Sequence, residues 1–168
     1  MQKEHHHSRD KWRDVVFGGI VLLVVLADQL TKAWIRANLA FGESISDIGF
    51  FRILHVHNTG AAFGMFKDHA FTLTIIDIIG IVVILVLALL LRSRWSFYDS
   101  ALVRVGMGMV IGGTIGNLID RLRIGHVTDF LDFKVWPVFN VADASAVVGS
   151  IIIIYCLIFL MKTAASQE

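Results

Sequence analysis

Four apolar stretches divide the chain, at about residues 15–35, 70–91, 101–119 and 144–161. Crossing a bilayer takes roughly 20 mostly apolar residues in a helix, so each stretch predicts a transmembrane helix. Between the first two the pattern changes. Residues 50–57 end in alternation, with Leu54 and Val56 apolar and His55 and His57 polar. That period predicts a short, half-exposed strand. Asn58-Thr59-Gly60 reads as a turn, and 61–66 as a returning strand. The pattern therefore predicts an all-α membrane protein: a four-transmembrane-helix bundle with a small β element at about 41–66, forming a single membrane domain over 1–168. His55 and His57 share a strand face, but no third ligand accompanies them. They are expected to be exposed, with no metal and no cofactor.

Composition agrees with the pattern. The chain is 56% hydrophobic with a mean hydropathy of +0.71. Its net charge of +1 suggests no nucleic-acid partner. Cys156 is the only cysteine, which excludes an intrachain disulfide and a cysteine-based metal site. The first apolar stretch has the basic start of a secretory signal. Asp28-Gln29-Leu30-Thr31-Lys32, which continues it, lacks a small-x-small cleavage site, so the helix is expected to be retained. Basic residues are denser on the side that carries both termini, which predicts cytoplasmic termini and outward-facing loops at about 36–69 and 120–143. Trp12, Trp34, Trp95 and Trp136 fall near predicted helix ends, where interfacial tryptophans sit.

Several polar residues stand out against this background. Asp28 and Lys32 are four apart and share a helix face, as an internal ion pair does. Asp77 is the only charged residue over 70–91, with no basic residue within a turn. Gly108, Gly112 and Gly116 form a flat stripe that lets another helix approach. The third helix is expected to end at Asn117-Leu118-Ile119-Asp120-Arg121, where Asp120 meets the negative end of the dipole. Arg121 or Arg123 is the near compensating charge. Asn117 and Arg121, four apart, present an amide and a guanidinium on one face.

Asp129 and Asp143 lie fourteen residues apart in the segment that enters the fourth helix. Asp143 is also placed to cap that helix, with Asn140 as the other candidate cap. Asp129 is flanked by Val127, Phe130 and Leu131, and apolar surroundings raise a carboxyl pKa. If the two carboxylates meet, they share a proton. The ionised one then takes a proton from water, while the protonated one polarises a carbonyl and later protonates the leaving amine.

Asn58-Thr59-Gly60-Ala61-Ala62-Phe63-Gly64, Gly116-Asn117-Leu118-Ile119-Asp120-Arg121, His126-Val127-Thr128-Asp129-Phe130 and Phe139-Asn140-Val141-Ala142-Asp143 together resemble the motifs of the bacterial lipoprotein signal peptidases, type II. Asp28 to Lys32 fits the same pattern, and the motifs follow the family's order over about residues 15–162. The resemblance implies an intramembrane aspartic endopeptidase of the bacterial inner membrane. It would remove the signal peptide of prolipoproteins just before a diacylglyceryl-modified cysteine. Its catalytic pair falls on Asp129 and Asp143. Supporting, substrate-binding positions fall on Asn58, Gly60, Asn117, Arg121 and Asn140, with Asp28, Lys32 and Asp120 as structural polar residues. It also implies a periplasm-facing β cradle, contact with membrane lipids and inhibition by globomycin; we expect a monomer.

The substrate's helix hides its carbonyls and must unwind near the cut. The strand at 50–57 is a candidate to hold the unwound segment by edge pairing. Two other readings compete. One is a proton or ion pathway through Asp28, Asp77, Asp129 and Asp143. The other is a serine–lysine protease using Ser145 and Lys134.

Overall fold

The computed structural model describes residues 2–60, 70–91 and 100–165. Helix α1 spans Gln2–Asn38 and is followed by strands β1 (Ser44–Ile45) and β2 (Arg52–Asn58). Helices α2 (Ala70–Leu91) and α3 (Ala101–Ile124) come next, then strand β3 (Val127–Asp132) and helix α4 (Val141–Ala165). Three segments are long and apolar enough to cross a membrane: Asp14–Asn38, Ala101–Ile124 and Val141–Phe159. In α2 the described apolar stretch is shorter, Phe71–Val86. Among the described residues there are four helices, three of which are long and apolar enough to cross a membrane.

Helix α3 is the centre of the bundle, and its glycines make it so. A Cβ at Gly108 would lie 3.0 Å from Ile20, and one at Gly112 would lie 2.9 Å from Val24. The expected stripe therefore receives α1. A second glycine face receives α4: a Cβ at Gly113 would overlap the Ala142 carbonyl oxygen, and one at Gly149 would stand 2.5 Å from that of Gly106. Close backbone approach of this kind substitutes for the hydrophobic drive that lipid removes. Helix α2 packs on the same axis. Its Ile84 and Ala88 join Val103, Met107 and Cys156 in one apolar cluster with Phe17, Ile152 and Ile153. Leu22, Leu26, Ile75, Ile79, Ile151 and Ile158 point outward, as lipid-facing residues do.

The sheet differs from the sequence expectation. Its order is β1-β2-β3, all antiparallel, so β2 is the middle strand. Its long partner β3 falls in the segment read as an outward loop, where Val127, Phe130 and Leu131 obscure any period-2 signal. The returning strand expected at 61–66, the end of the Asn58–Gly64 motif and Trp95 lie outside the described residues. Because β2 is flanked on both sides, a substrate segment cannot add along it at Ile53 and Leu54, which pair with β1. His55 is buried rather than exposed, with Nδ1 against the Leu39 carbonyl at 2.9 Å. The sheet sits on the end of α1 through Ile35, Leu39 and Phe130, with Ile53 and Val141 around them.

Helix ends differ as well, α1 spanning Gln2–Asn38 and α4 reaching Ala165, and two of the differences bear on the polar residues. Helix α3 runs one turn beyond 119, to Ile124, and stops at Gly125, which adopts φ 76° and donates its N–H to the Arg121 carbonyl. Asn117, Asp120 and Arg121 therefore project from within the helix. Helix α4 starts at Val141 rather than at 144.

Candidate active site

Asn140 and Asp143 close the start of α4 on each other. The Asp143 N–H donates to Asn140 Oδ1 at 2.9 Å, and the Asn140 N–H donates to Asp143 Oδ2 at 3.2 Å. This reciprocal pair is a capping box. Asn140 is the cap, and Asp143 stands three residues inside it. The other oxygen of Asp143 accepts from Asn117 Nδ2 at 2.8 Å.

Asp129 lies on β3 opposite Val56 and is 1% exposed. Asn140 Nδ2 donates to its Oδ1 at 2.6 Å, and Asn58 Nδ2 donates to its Oδ2 at 2.9 Å. Gly60 N–H donates to Asn58 Oδ1 at 2.9 Å, which turns the Asn58 amide nitrogen toward the carboxylate. Asn140 thus touches both carboxylates, one through its side chain and one through its backbone. Burial, and then the charge of Asp143, push the Asp129 carboxyl up to about 7, against the two amide donors.

Asn117 is oriented by a cation. Its Oδ1 accepts from Lys32 Nζ at 2.8 Å and from Asn140 Nδ2 at 3.1 Å. An ammonium has only donors, so the amide must face it with oxygen and offer nitrogen to Asp143. Lys32 is fully buried, 2.9 Å from Asp28 Oδ2 and 3.5 Å from Asp120 Oδ2. Asp28 Oδ1 accepts the Ala142 N–H at 3.0 Å, one of the donors that a helix start leaves unpaired. Asp120 Oδ2 accepts the Thr128 N–H at 3.0 Å, which holds the start of β3 to α3.

The expected compensation of Asp120 by Arg121 or Arg123 is replaced. With α3 extended by a turn, Asp120 faces α1, where Lys32 and Arg36 meet it; Arg36 Nη1 lies 3.3 Å from Asp120 Oδ1 and 3.0 Å from Thr128 Oγ1. Arg121 turns the other way and pairs with Asp77 Oδ2 at 2.6 Å. Gln29, Arg36 and Thr128 were not singled out in the sequence. Gln29 Nε2 donates to Asp28 at 3.1 Å and to the Gly116 carbonyl at 3.0 Å. Their signal was faint: Arg36 extends the Asp28–Lys32 face by one more turn. Lys134, the base of the serine–lysine reading, bonds Asp47 at 2.7 Å on the exposed side of the sheet.

The constellation is two carboxylates, one pushed toward neutrality, on three asparagines and a buried cation. Residues 20–159 match the family described as Signal peptidase (SPase) II. The lipoprotein signal peptidase of Dehalococcoides mccartyi (strain CBDB1) is 44% identical over 139 residues, covering 83% of this chain and 86% of the relative. That of Moorella thermoacetica (strain ATCC 39073 / JCM 9320) is 42% identical over 140 residues, covering 83% and 90%. A solved bacterial membrane enzyme, determined by the in meso method at 2.3 Å resolution, superposes with a TM-score of 0.75 at 31% identity, covering 90% of this chain and 91% of its own. This chain belongs to the signal peptidase II family.

Proposed function

We propose that this chain is an intramembrane aspartic endopeptidase that removes the signal peptide from prolipoproteins, cutting before a diacylglyceryl-modified cysteine. Family membership supports the protease activity and its substrate class. The observation that carries the aspartic mechanism is the shared Asn140, which bonds Asp129 by its side chain and Asp143 by its backbone.

Burial favours the protonated form of Asp129 near neutral pH, while Asp143 accepts from Asn117 Nδ2 and from the Asn140 N–H. Asp143 then takes a proton from water as the water oxygen bonds to the scissile carbonyl carbon. Asp129 gives its proton to the carbonyl oxygen. As the C–N bond breaks, Asp143 passes its proton to the leaving amine and Asp129 recovers its own. No metal or covalent intermediate enters these steps. Asn58, Gly60, Asn117 and Asn140 hold the pair, Arg121 lies one turn of α3 beyond Asn117, and Asp28, Lys32 and Asp120 support it from α1 and α3. The reading places the protein as a monomer in the bacterial inner membrane, termini cytoplasmic, with the dyad at the periplasmic interface beside the lipid-anchored end of the substrate. Globomycin is the expected inhibitor.

The proton-pathway reading is not favoured, since Asp28, Asp129 and Asp143 gather around one helix start instead of lining a route. The test is cleavage of a diacylglyceryl-modified prolipoprotein by detergent-purified protein. Cleavage before the lipidated cysteine, blocked by globomycin and lost in Asp129→Asn and in Asp143→Asn, is the expected result. A folded wild type that leaves the substrate intact overturns the reading.

A further inference from the structure

The buried stripe of α2 begins with Leu73, Thr74 and Asp77 and continues to Ile84 and Ala88 against the α3 side of the bundle. Asp77 is the only charge over 70–91, and it lies on that stripe rather than toward lipid. A charge here is expensive unless paired, and an apolar contact would tether α2 at lower cost. The partner is Arg121, itself 9% exposed. Arg121 follows Asn117 by one turn of α3, and Asn117 holds Asp143. Arg121 and Asn117 therefore share one face of α3, so the ion pair stands one helical turn from the amide that holds Asp143.

We propose that Asp77 is a positioning residue for the cleavage reaction: it holds the Arg121 guanidinium to α2, beside the dyad but off Asp143. The proposal rests on the peptidase reading above. Asp77 competes with Asp143 for one cation. It engages Nη1 of Arg121 and leaves further donors of the five for the carbonyls that an unwound signal-peptide segment exposes. Without Asp77, Arg121 is drawn to Asp143 and ties up the base. The dyad also loses a nearby negative charge, so it gives up its shared proton more readily. The charged groups around it are Asp28, Lys32 and Arg36 from α1, Asp77 from α2, and Asp120 and Arg121 from α3. Removing Asp77 therefore makes the surroundings more positive by one charge.

The test is kinetics on a diacylglyceryl-modified prolipoprotein peptide, from about pH 5 to pH 9, with the Tm of each variant. Wild type is compared with Asp77→Asn, Asp77→Glu, Arg121→Gln and the Asp77→Asn/Arg121→Gln double variant. Asp77→Asn is expected to lower kcat/KM about tenfold, as for coupled polar neighbours. It should also move the alkaline limb of the pH profile to lower pH. Asp77→Glu should recover most of the rate. In the Arg121→Gln background, Asp77→Asn should cost less than about twofold, because its effect runs through the missing cation. An Asp77→Asn enzyme with wild-type kcat/KM and pH profile overturns the proposal. So does a loss that tracks Tm and adds in full to Arg121→Gln. Absence of cleavage by folded wild type overturns the peptidase reading itself, and this proposal with it.

Discussion

Asp129 carries opposing demands on one side chain. Its carboxyl is pushed up to about 7 from 3.8 by burial and by Asp143. Folding therefore favours its proton-bound form. The stabilising contribution is fully present below about pH 4 and is lost as pH rises through about 7, on the order of 4 kcal/mol in all. Wild type should melt at a lower temperature at pH 8 than at pH 5, and Asp129→Asn should flatten that difference. Cleavage should fall above about pH 7 for the same reason, as the acid loses its proton. Asp143→Asn has a different cost. The two donors, Asn117 Nδ2 and the Asn140 N–H, address different oxygens of Asp143, so an amide turns an NH2 toward one of them, and Asn117 cannot flip without facing nitrogen to Lys32. The variant should be inactive and less stable by about 1–3 kcal/mol, the cost of a buried unmatched polar group. Unchanged Tm in detergent would contradict this. From sequence alone the residue was a candidate cap, for which asparagine would be harmless. Only the capping box with Asn140 reveals the difference.

At the scale of elements, α3 works as a spacer of zero thickness. Gly113→Ala drives a methyl into the Ala142 carbonyl oxygen, in the turn that carries Asp143. Backbone atoms on both sides cannot give, so α3 and α4 must part. The variant should lose activity and several kcal/mol of stability, at the large end of the usual range for point changes (about 4 or more). Gly18→Ala meets nothing within 4 Å and serves as the control, with Tm unchanged or slightly raised. Retention of full activity by Gly113→Ala would show that the helices tolerate separation. The i,i+4 glycine repeat facing α1 was legible in the chain. The α4-facing set was not, because Gly106 and Gly113 stand seven apart, without the four-residue repeat, and its third member, Gly149, is on α4 itself.

For the whole molecule, the sheet, the dyad and the start of α4 gather at one end, while Asp14 and Arg104 pair at the other. The reading with cytoplasmic termini puts the sheet outside. A cysteine introduced at Asp47 should react with a membrane-impermeant thiol reagent on intact spheroplasts, and one at Ser166 only after permeabilisation. Cys156 is buried and should stay silent. The reverse labelling pattern would invert the proposed orientation.

The chain by itself determined the membrane-helix character, the polar residues set among apolar ones, and the family motifs, because each is written in local pattern. Contacts between elements were decided only by the tertiary structure. Strand β3 was hidden because both its faces are largely buried and show no alternation. The partner of Asp77 lies 44 positions away on another helix, beyond the reach of any spacing rule. Asp120 was given the wrong cation because one further turn of α3, set by the left-handed Gly125, aims it at α1 instead. Side-chain chemistry is a property of sequence; which charge faces which depends on where helices stop and how closely their backbones meet.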